Sequence, residues 1–247
     1  MLKTKPLQVG DKTLTVHDIS GVPYWKQLPL LWRHAALIAG TADPFANWQN
    51  MAKKPSGEFV MQFGRGAAQD LTGVALLADL AAMRTKVDSL GRNPRMINPR
   101  KPFAVVCDHR TQVDYAGTTE AFAKNAELEF QRNEEVYQFM NWAQQAFDNT
   151  TIVPPGIGIV HQVNCEYLAQ GILQNADGTW VPDSVVCADS HTTMINGLGV
   201  FGYGVGGLEL EEVLLGQDSV LPICEVVGVR IKGKLQPGVN GMDLALA

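Results

Sequence analysis

Short, uninterrupted apolar runs alternate with helix-like patterns along this chain, and that alternation restricts the possible folds most strongly. Residues 103–107 (Phe-Ala-Val-Val-Cys) and 185–188 (Val-Val-Cys-Ala) have the length of strands and lack the polar alternation of a sheet with one face in water. Apolar residues at helical spacing predict helices over 27–39, 74–90, 121–147 and 208–215. Strands that alternate with helices favour an α/β fold built on a largely parallel sheet.

The remaining segments give less regular patterns. Residues 157–160 and 226–231 are apolar and predict two further strands, and 166–173 predicts a short helix. Residues 41–66 are polar and rich in Gly, Lys, Ser and Asn, so we expect a surface loop there. At the end of the sequence, 243–247 resembles the cap and first turn of a helix, and one turn is not stable alone. We therefore expect the domain to be truncated at the C-terminus.

Composition and charge narrow the classes of partner. The chain has 247 residues and a formal net charge of −5, without a basic stripe, which gives no support to a nucleic-acid partner. No run approaches the ~20 apolar residues of a membrane span, and the first residues lack the hydrophobic core of a signal peptide. We therefore expect a globular cytoplasmic protein with no membrane partner. The cysteines form no Cys-x-x-Cys pair and are expected to be small buried hydrophobes.

Residues 189–199 bring an aspartate, a serine and a histidine together immediately before a glycine-rich turn. The apolar run 185–188 precedes them, so we expect Asp189, Ser190 and His191 at the carboxyl end of a strand. Open α/β sheets bind their ligands at such strand ends. The alternative is that Asp189 and Ser190 cap the following turn and that His191 is incidental.

Two more histidines follow apolar runs. Asp108 and His109 come directly after 103–107, and His161 comes directly after 157–160. Three histidines and two aspartates at strand ends are expected to converge on one crevice. A carboxylate beside an imidazole raises the imidazole pKa and fixes its tautomer, which suits proton transfer near neutral pH. One such histidine is more often a satisfied core or surface residue, whereas the pattern of three favours a site.

The sequence gives little support to a common metal-binding or dinucleotide-binding motif. The chain contains neither His-x-x-x-His nor His-Glu-x-x-His. Residues 197–202 formally match the dinucleotide pattern Gly-x-Gly-x-x-Gly, but eight residues separate them from the strand run, and Pro222 stands where the ribose-binding acid belongs. We expect these glycines to let helix 208–215 pack close to the sheet, or to present their amides to a carboxylate ligand.

Five motifs occur in order along the chain. They are Gln-Asp-Leu-Thr-Gly-Val at 69–74, Asp-His at 108–109, Pro-Pro-Gly-x-Gly-Ile-x-His-Gln-Val-Asn at 154–164, Asp-Ser-His-Thr-Thr-Met at 189–194 and Gly-x-Gly-Gly at 204–207. Together they resemble the amino-terminal part of the aconitase family, most closely its branch of bacterial aconitase A and iron regulatory proteins. The resemblance is strong from about residue 69 onward and weak over 1–66. It implies a three-layer aconitase-type α/β domain over 1–225 and the incomplete start of the next domain over 226–247.

The resemblance implies a hydro-lyase, an aconitate hydratase of the tricarboxylic acid cycle that interconverts citrate and isocitrate through cis-aconitate. In this family a [4Fe–4S] cluster binds the substrate as a Lewis acid. Its cysteine ligands are expected beyond Ala247, because Cys107, Cys165, Cys187 and Cys224 match no ligand position. The serine base and the substrate-binding arginines are expected there too. We therefore expect the isolated chain to be inactive and to need the missing C-terminal domains, in cis or as a separate subunit.

The resemblance also assigns roles to residues of this chain. Asp108 and His109 would protonate the departing hydroxyl. Asp189 would pair with His161, and His191 would pair with a glutamate further along the family sequence. The implied catalytic residues are Asp108, His109, His161, Asp189 and His191. The implied contacts to the tricarboxylate substrate come from Gln69, Asp189, Ser190 and His191.

Two other functions stay open from the sequence. A 2-methylcitrate or 2-methylisocitrate dehydratase would use the same chemistry in a roomier pocket, and Leu71 and Val74 near Gln69 do not decide between the substrates. An RNA-binding regulator of the iron regulatory protein type belongs to a different functional class. The acidic charge and the lack of an arginine-rich stretch make RNA the less favoured partner.

Overall fold

A five-stranded parallel sheet forms the centre of the fold in the computed structural model, which describes residues 1–50, 57–110 and 112–247 and their side chains except those of 47–50. Its strand order is β10 (Phe201–Gly204), β9 (Ser184–Cys187), β4 (Arg65–Gln69), β5 (Phe103–Val106) and β6 (Thr150–Val153). Every neighbouring pair is parallel. β4, β5 and β9 are buried along nearly their whole length, as strands covered on both faces must be.

Helical layers cover both faces of this sheet. The helices are α1 (Leu30–Ala39), α2 (Asp70–Ser89), α3 (Ala121–Arg132), α4 (Glu134–Ala146), α5 (Val160–Val163), α6 (Gly207–Leu214) and α7 (Gly241–Leu246). Side chains of α1, α2, α4 and α6 form the main apolar core with alternate sheet residues such as Val105 and Val186. Val106 and Val185 point the other way, toward the helical segments 160–168 and 190–198. The fold therefore has three layers, because successive strand residues face opposite sides.

Two smaller sheets lie outside the parallel sheet. One has the order β1 (Lys3–Val9), β2 (Lys12–Asp18), β8 (Trp180–Pro182) and β7 (Ile172–Gln174), and the other pairs β3 (Glu58–Met61) antiparallel with β11 (Ser219–Pro222). Within the described residues, no helix has the length and apolarity needed to cross a membrane.

The structure confirms an α/β fold with a largely parallel sheet. The predicted runs 103–107 and 185–188 correspond to the buried strands β5 and β9, and the predicted helix 208–215 corresponds to α6. The long helical pattern over 121–147 is divided between α3 and α4, which meet at Asn133. The φ of −116° and ψ of 19° at Asn133 interrupt the helical backbone and separate the two helices.

Three local predictions are wrong. The strand expected over 157–160 is not formed; β6 instead occupies Thr150–Val153, before the two prolines that end it. The strand expected over 226–231 is also absent, since these described residues are exposed and have no regular structure. The helix expected over 166–173 ends at Leu168, and the chain then enters β7.

The surface loop predicted over 41–66 is wrong. Asp43–Asn50 form a 3₁₀-helix, and the side chain of Phe45 is fully buried. Residues 58–61 form β3, and residue 65 begins β4, the central strand of the parallel sheet; residues 51–56 lie outside the described residues. β4 lacks large apolar side chains because α6 lies directly against it. A Cβ atom on Gly66 would be 2.8 Å from Leu214 Cδ2. Close helix packing therefore removes the apolar pattern expected of a buried strand.

Candidate active site

Polar side chains gather at the carboxyl ends of three adjacent strands. Gln69 ends β4, Asp108 and His109 follow β5, and Asp189 follows β9. These strands are parallel neighbours, so their ends lie along one edge of the sheet. α5 carries His161 to the same edge, where its ring contacts Asp189. The location agrees with the general rule that open α/β sheets bind ligands beyond the carboxyl ends of their strands.

One group of side chains, which we call the His–Asp–His cluster, consists of His161, Asp189 and His191. Asp189 Oδ1 lies 3.0 Å from His161 Nε2 and 3.1 Å from His191 Nδ1. The two imidazole centroids are 5.6 Å apart. Asp189 Oδ1 also accepts a hydrogen bond from the backbone N–H of His191 at 2.8 Å and so caps the helical segment 190–198. The capping role and the contact with both histidines are therefore performed by the same carboxylate.

The environment of Asp189 favours its ionised form. Burial by itself would raise the pKa of this carboxyl group, but hydrogen bonds from the backbone and ring of His191, together with nearby His161, outweigh burial and lower the pKa. Asp189 is therefore a carboxylate at neutral pH. Its charge orients the two imidazoles toward a common point.

Gln69 adds an amide to this cluster. Its Nε2 is 3.4 Å from Asp189 Oδ2, whereas its Oε1 is buried and has no hydrogen-bond partner among the described residues. An unpartnered buried carbonyl oxygen is costly, and this oxygen remains able to accept a hydrogen bond from a further donor. Ser190 is exposed beside the cluster. The predicted substrate-binding residues thus lie together at one edge of the sheet.

A second group, the Asp–His pair, is formed by Asp108 and His109. His109 Nδ1 is hydrogen-bonded to Asp108 Oδ1, and the carboxylate side chain is buried while the imidazole is partly exposed. Asp108 Oδ2 accepts a hydrogen bond from the backbone N–H of Val160 at 2.6 Å. Because Val160 begins the helix that carries His161, this bond links the two groups of site residues.

Asp70 supports the Asp–His pair and is absent from the sequence-based set of site residues. Its carboxyl group is fully buried at the start of α2. Oδ1 accepts hydrogen bonds from the backbone N–H groups of His109 at 3.1 Å and Asp108 at 3.4 Å, and Oδ2 lies 2.9 Å from Arg110 Nε. Asp70 therefore acts on the pair through the backbone. In the sequence, Asp70 is recognisable only as an acidic residue at the start of a helix. Such residues commonly stabilise the helix N-terminus, so this pattern does not by itself indicate a site residue.

The glycines of β10 allow the chain around Asp189 to approach the sheet. A Cβ atom on Gly204 would lie 2.6 Å from the backbone oxygen of Asp189, and one on Gly202 would lie 2.7 Å from the backbone oxygen of Thr192. These two glycines therefore make room for the site segment. The prediction that the glycines of 197–202 let helix 208–215 pack close to the sheet is wrong. A Cβ atom on any of them would not meet that helix, whereas one on Gly66 of β4 would.

A Gly204→Ala substitution is expected to lower the free energy of unfolding by about 1–3 kcal/mol, because the added methyl group meets fixed backbone rather than a movable side chain. Urea denaturation measures this loss. Gly197→Ala is the matched control, since a Cβ atom there meets nothing within 4 Å. Equal stability of the two variants would contradict the close approach at Gly204.

The arrangement agrees with a comparison to known protein families. The family model of aconitase (aconitate hydratase) matches residues 43–247. The chain belongs to the aconitase family. Its match covers the strands β4, β5 and β9 and every polar residue of the two groups described above. The aconitase family is a family of hydro-lyases.

Individual aconitase relatives agree with this assignment. The chain is 52% identical over 207 residues to aconitate hydratase A of Deinococcus radiodurans, covering 83% of the chain and 23% of that relative. It is 49% identical over 232 residues to aconitate hydratase A of Streptococcus mutans, and this match covers 93% of the chain and 26% of that relative. It is 42% identical over 251 residues to aconitate hydratase A of Corynebacterium efficiens, and this match covers 97% of the chain and 27% of that relative. The chain thus spans about a quarter of the length of these relatives.

The cysteines of this aconitase-family chain do not fit a [4Fe–4S] cluster, the group that the family implies. Cys107 and Cys187 are buried in two different apolar clusters, and burial raises the pKa of their thiols to about 12 and about 11. Cys165 is partly buried and Cys224 is exposed. Cluster iron binds thiolates that converge on one site. Among the described residues, the side-chain groups able to hold a metal contain only histidine and aspartate.

Proposed function

We propose that this chain forms the proton-donating half and part of the substrate-binding half of an aconitate hydratase site. The reaction is the reversible dehydration of citrate to cis-aconitate and its rehydration to isocitrate. The observation that carries the proposal is the convergence of two aspartate–histidine groups at the carboxyl ends of β4, β5 and β9. Membership of the aconitase family and the similarity to aconitate hydratase A proteins support this activity.

In the proposed mechanism His109 holds the proton that the departing substrate hydroxyl takes. Asp108 accepts the hydrogen bond of the imidazole and keeps the ring in one orientation. Asp70 in turn fixes the backbone of both residues. A partly exposed imidazole beside a buried carboxylate is suited to proton donation, because the exposed ring can reach the substrate while the buried Asp108 carboxylate fixes its orientation.

The His–Asp–His cluster and Gln69 would bind the tricarboxylate. His161 and His191 can donate to substrate oxygens, and Asp189 keeps both rings directed toward one point. Gln69 Oε1 supplies an acceptor for a substrate hydroxyl. The exposed hydroxyl of Ser190 lies at the same edge and completes the proposed contacts. Together these side chains offer several hydrogen-bond donors to the tricarboxylate, and we place the arginines that would balance its three negative charges in the rest of the protein.

The remaining catalytic groups are proposed to come from outside this chain. The four cysteines do not fit the cluster, so we place its ligands, the proton-abstracting serine and the arginines for the substrate carboxylates in the rest of the protein. The isolated chain is proposed to be inactive for this reason. These parts would be supplied in the same polypeptide or by a separate subunit.

We propose a domain boundary near residue 225. β11 ends at Pro222, and all residues from Cys224 onward are exposed, whereas the preceding residues pack on the parallel sheet. Residues 226–247 would then begin the next domain of the aconitase architecture. α7, with its Asn240 cap, lies in this second part.

The experiment that tests the proposed function is an assay of the whole gene product alongside the 247-residue chain. Citrate, isocitrate and cis-aconitate are offered in parallel with 2-methylcitrate and 2-methylisocitrate, and turnover is followed by the absorbance of the unsaturated acid. We expect the whole gene product to interconvert the first three and the chain alone to show no turnover. Preference for the methylated acids would change the substrate assignment, and turnover by the chain alone would contradict the division of the site.

A further inference from the structure

We propose that the His–Asp–His cluster also binds one divalent transition-metal ion of the Zn²⁺ type. The ligand atoms would be His161 Nε2, Asp189 Oδ1 and His191 Nδ1, which all lie within 4.8 Å of one another. This site differs from a thiolate site for a [4Fe–4S] cluster in its ligand type, since its ligands are two imidazoles and a carboxylate. It needs no residue from outside the chain.

The geometry of the cluster is close to that of a metal site. Zn²⁺ binds imidazole nitrogen and carboxylate oxygen at about 2.0–2.2 Å, so neighbouring ligand atoms in a tetrahedral site lie about 3.3 Å apart. The carboxylate oxygen of Asp189 is already 3.0 Å and 3.1 Å from the two nitrogen atoms. Only the two imidazoles must approach each other. The His191 side chain is 78% exposed and can move to do so.

The ligand set selects the class of metal. Two imidazoles and one carboxylate suit Zn²⁺, Co²⁺ and Ni²⁺, whereas Mg²⁺ and Ca²⁺ prefer oxygen ligands throughout. Metal binding at His161 Nε2 and His191 Nδ1 requires that these two nitrogens carry no proton, so each neutral ring would hold its proton on its other nitrogen. The open side at His191 leaves a fourth position for water.

The second group of potential ligands on this edge is less suited to a cation. It consists of Asp70, Asp108 and His109. Arg110 Nε already lies 2.9 Å from Asp70 Oδ2. A metal ion bound to this group would therefore lie close to the fixed positive charge of Arg110. In the described part of the chain, neither lysine nor arginine forms an ion pair with Asp189, whose contacts of this kind are with His161 and His191.

Metal binding would regulate the proposed catalytic site. The three ligand atoms belong to the side chains that we propose for substrate binding, so an ion and a tricarboxylate cannot use them together. This consequence rests on the proposed function. The metal site itself does not, because it is measured as ion binding to the 247-residue chain without any substrate.

The test is a titration of the metal-free, reduced 247-residue chain with Zn²⁺ by calorimetry and with Co²⁺ by visible absorption. We expect one bound ion per chain and no comparable binding of Mg²⁺. His191→Ala is expected to weaken Zn²⁺ affinity at least tenfold. Because the His191 side chain is exposed, we expect this variant to fold as the unmodified chain does. Two control variants, His109→Ala in the second group and Cys224→Ser at the exposed thiol, should bind Zn²⁺ as the unmodified chain does.

A second measurement needs no variant. The imidazole ¹⁵N resonances of His161 and His191 are expected to shift when Zn²⁺ is added, while those of His109 stay in place. Unchanged affinity in His191→Ala, loss of binding in Cys224→Ser, or ¹⁵N shifts confined to other histidines would each overturn the proposal. If the whole gene product had no aconitate hydratase activity, the proposed function would be wrong, but the ion-binding results on the 247-residue chain would still test the metal site.

Discussion

Replacing His109 with glutamine is expected to lower kcat of the whole gene product for cis-aconitate hydration by about 10²–10⁴-fold, the contribution of a positioned acid–base group. KM should change much less, because the proposed substrate contacts lie mainly on the His–Asp–His cluster. Glutamine keeps a polar side chain of similar reach but has no proton to exchange near neutral pH. Steady-state rates at saturating and limiting cis-aconitate separate the two parameters.

The matched control for this prediction is His34→Gln. His34 lies on α1 and belongs to neither of the two groups of site residues, so it has no part in the proposed proton transfer. Its replacement should leave kcat near that of the unmodified protein. If His109→Gln kept its kcat, or lost it only through a raised KM, His109 would be a binding residue and the proton donor would have to be sought elsewhere.

The polar residues at strand ends could be predicted from sequence because their strands have uninterrupted apolar patterns. The run that becomes β5 leads directly to Asp108 and His109, and the run that becomes β9 leads directly to Asp189. A strand followed at once by polar residues is visible in one sequence. The proximity of these ends follows from the parallel sheet, which the alternation of strands and helices predicts.

The central strand could not be predicted from sequence in the same way. β4 contains small residues and a buried arginine, since Gly66 must admit α6 and Arg65 pairs with Asp183. Both causes are long-range contacts, and neither leaves an apolar run. Asp70 was missed for a related reason: its partners, the N–H groups of Asp108 and His109, lie 38 and 39 residues away in sequence.

The strand predicted over 157–160, before His161, shows a second reason why sequence patterns can fail to predict local structure. Residues 157–160 are mostly apolar, but Ile157 and Ile159 are exposed and Val160 turns into α5. The hydrogen bond from the Val160 N–H to Asp108 fixes that turn. A short apolar run does not distinguish a strand from an approach to a helix. The contact that decides the structure joins segments 52 residues apart.

A second large effect is expected from Asp183→Asn, which should lower the free energy of unfolding of the chain by about 3–5 kcal/mol, the cost of leaving one member of a buried ion pair without its partner. Asp183 is fully buried and receives Arg65 Nε and Nη2, each at 3.1 Å. Asparagine keeps the shape but removes the charge, so the buried guanidinium of Arg65 loses its counter-ion. Urea denaturation at neutral pH measures the difference.

The exposed pair of Asp114 and Arg132 provides the control. It has the same residue types and a 2.6 Å contact, but both side chains reach solvent, so Asp114→Asn should cost only about 0.2–1 kcal/mol. Equal losses in the two variants would show that burial does not set the strength of the Arg65 pair.

The Arg65 pair also bears on the position of His161. Arg65 Nη1 donates to Asn164 Oδ1 at 2.6 Å, and Asn164 lies one helical turn after His161. Asp183→Asn is therefore expected to disturb the His161–Asp189 contact in the folded protein, seen as a shift of the His161 imidazole resonances, whereas Asp114→Asn leaves them in place. Stability and site geometry would then depend on the same buried charge, because β4 supplies both Arg65 at its start and Gln69 at its end.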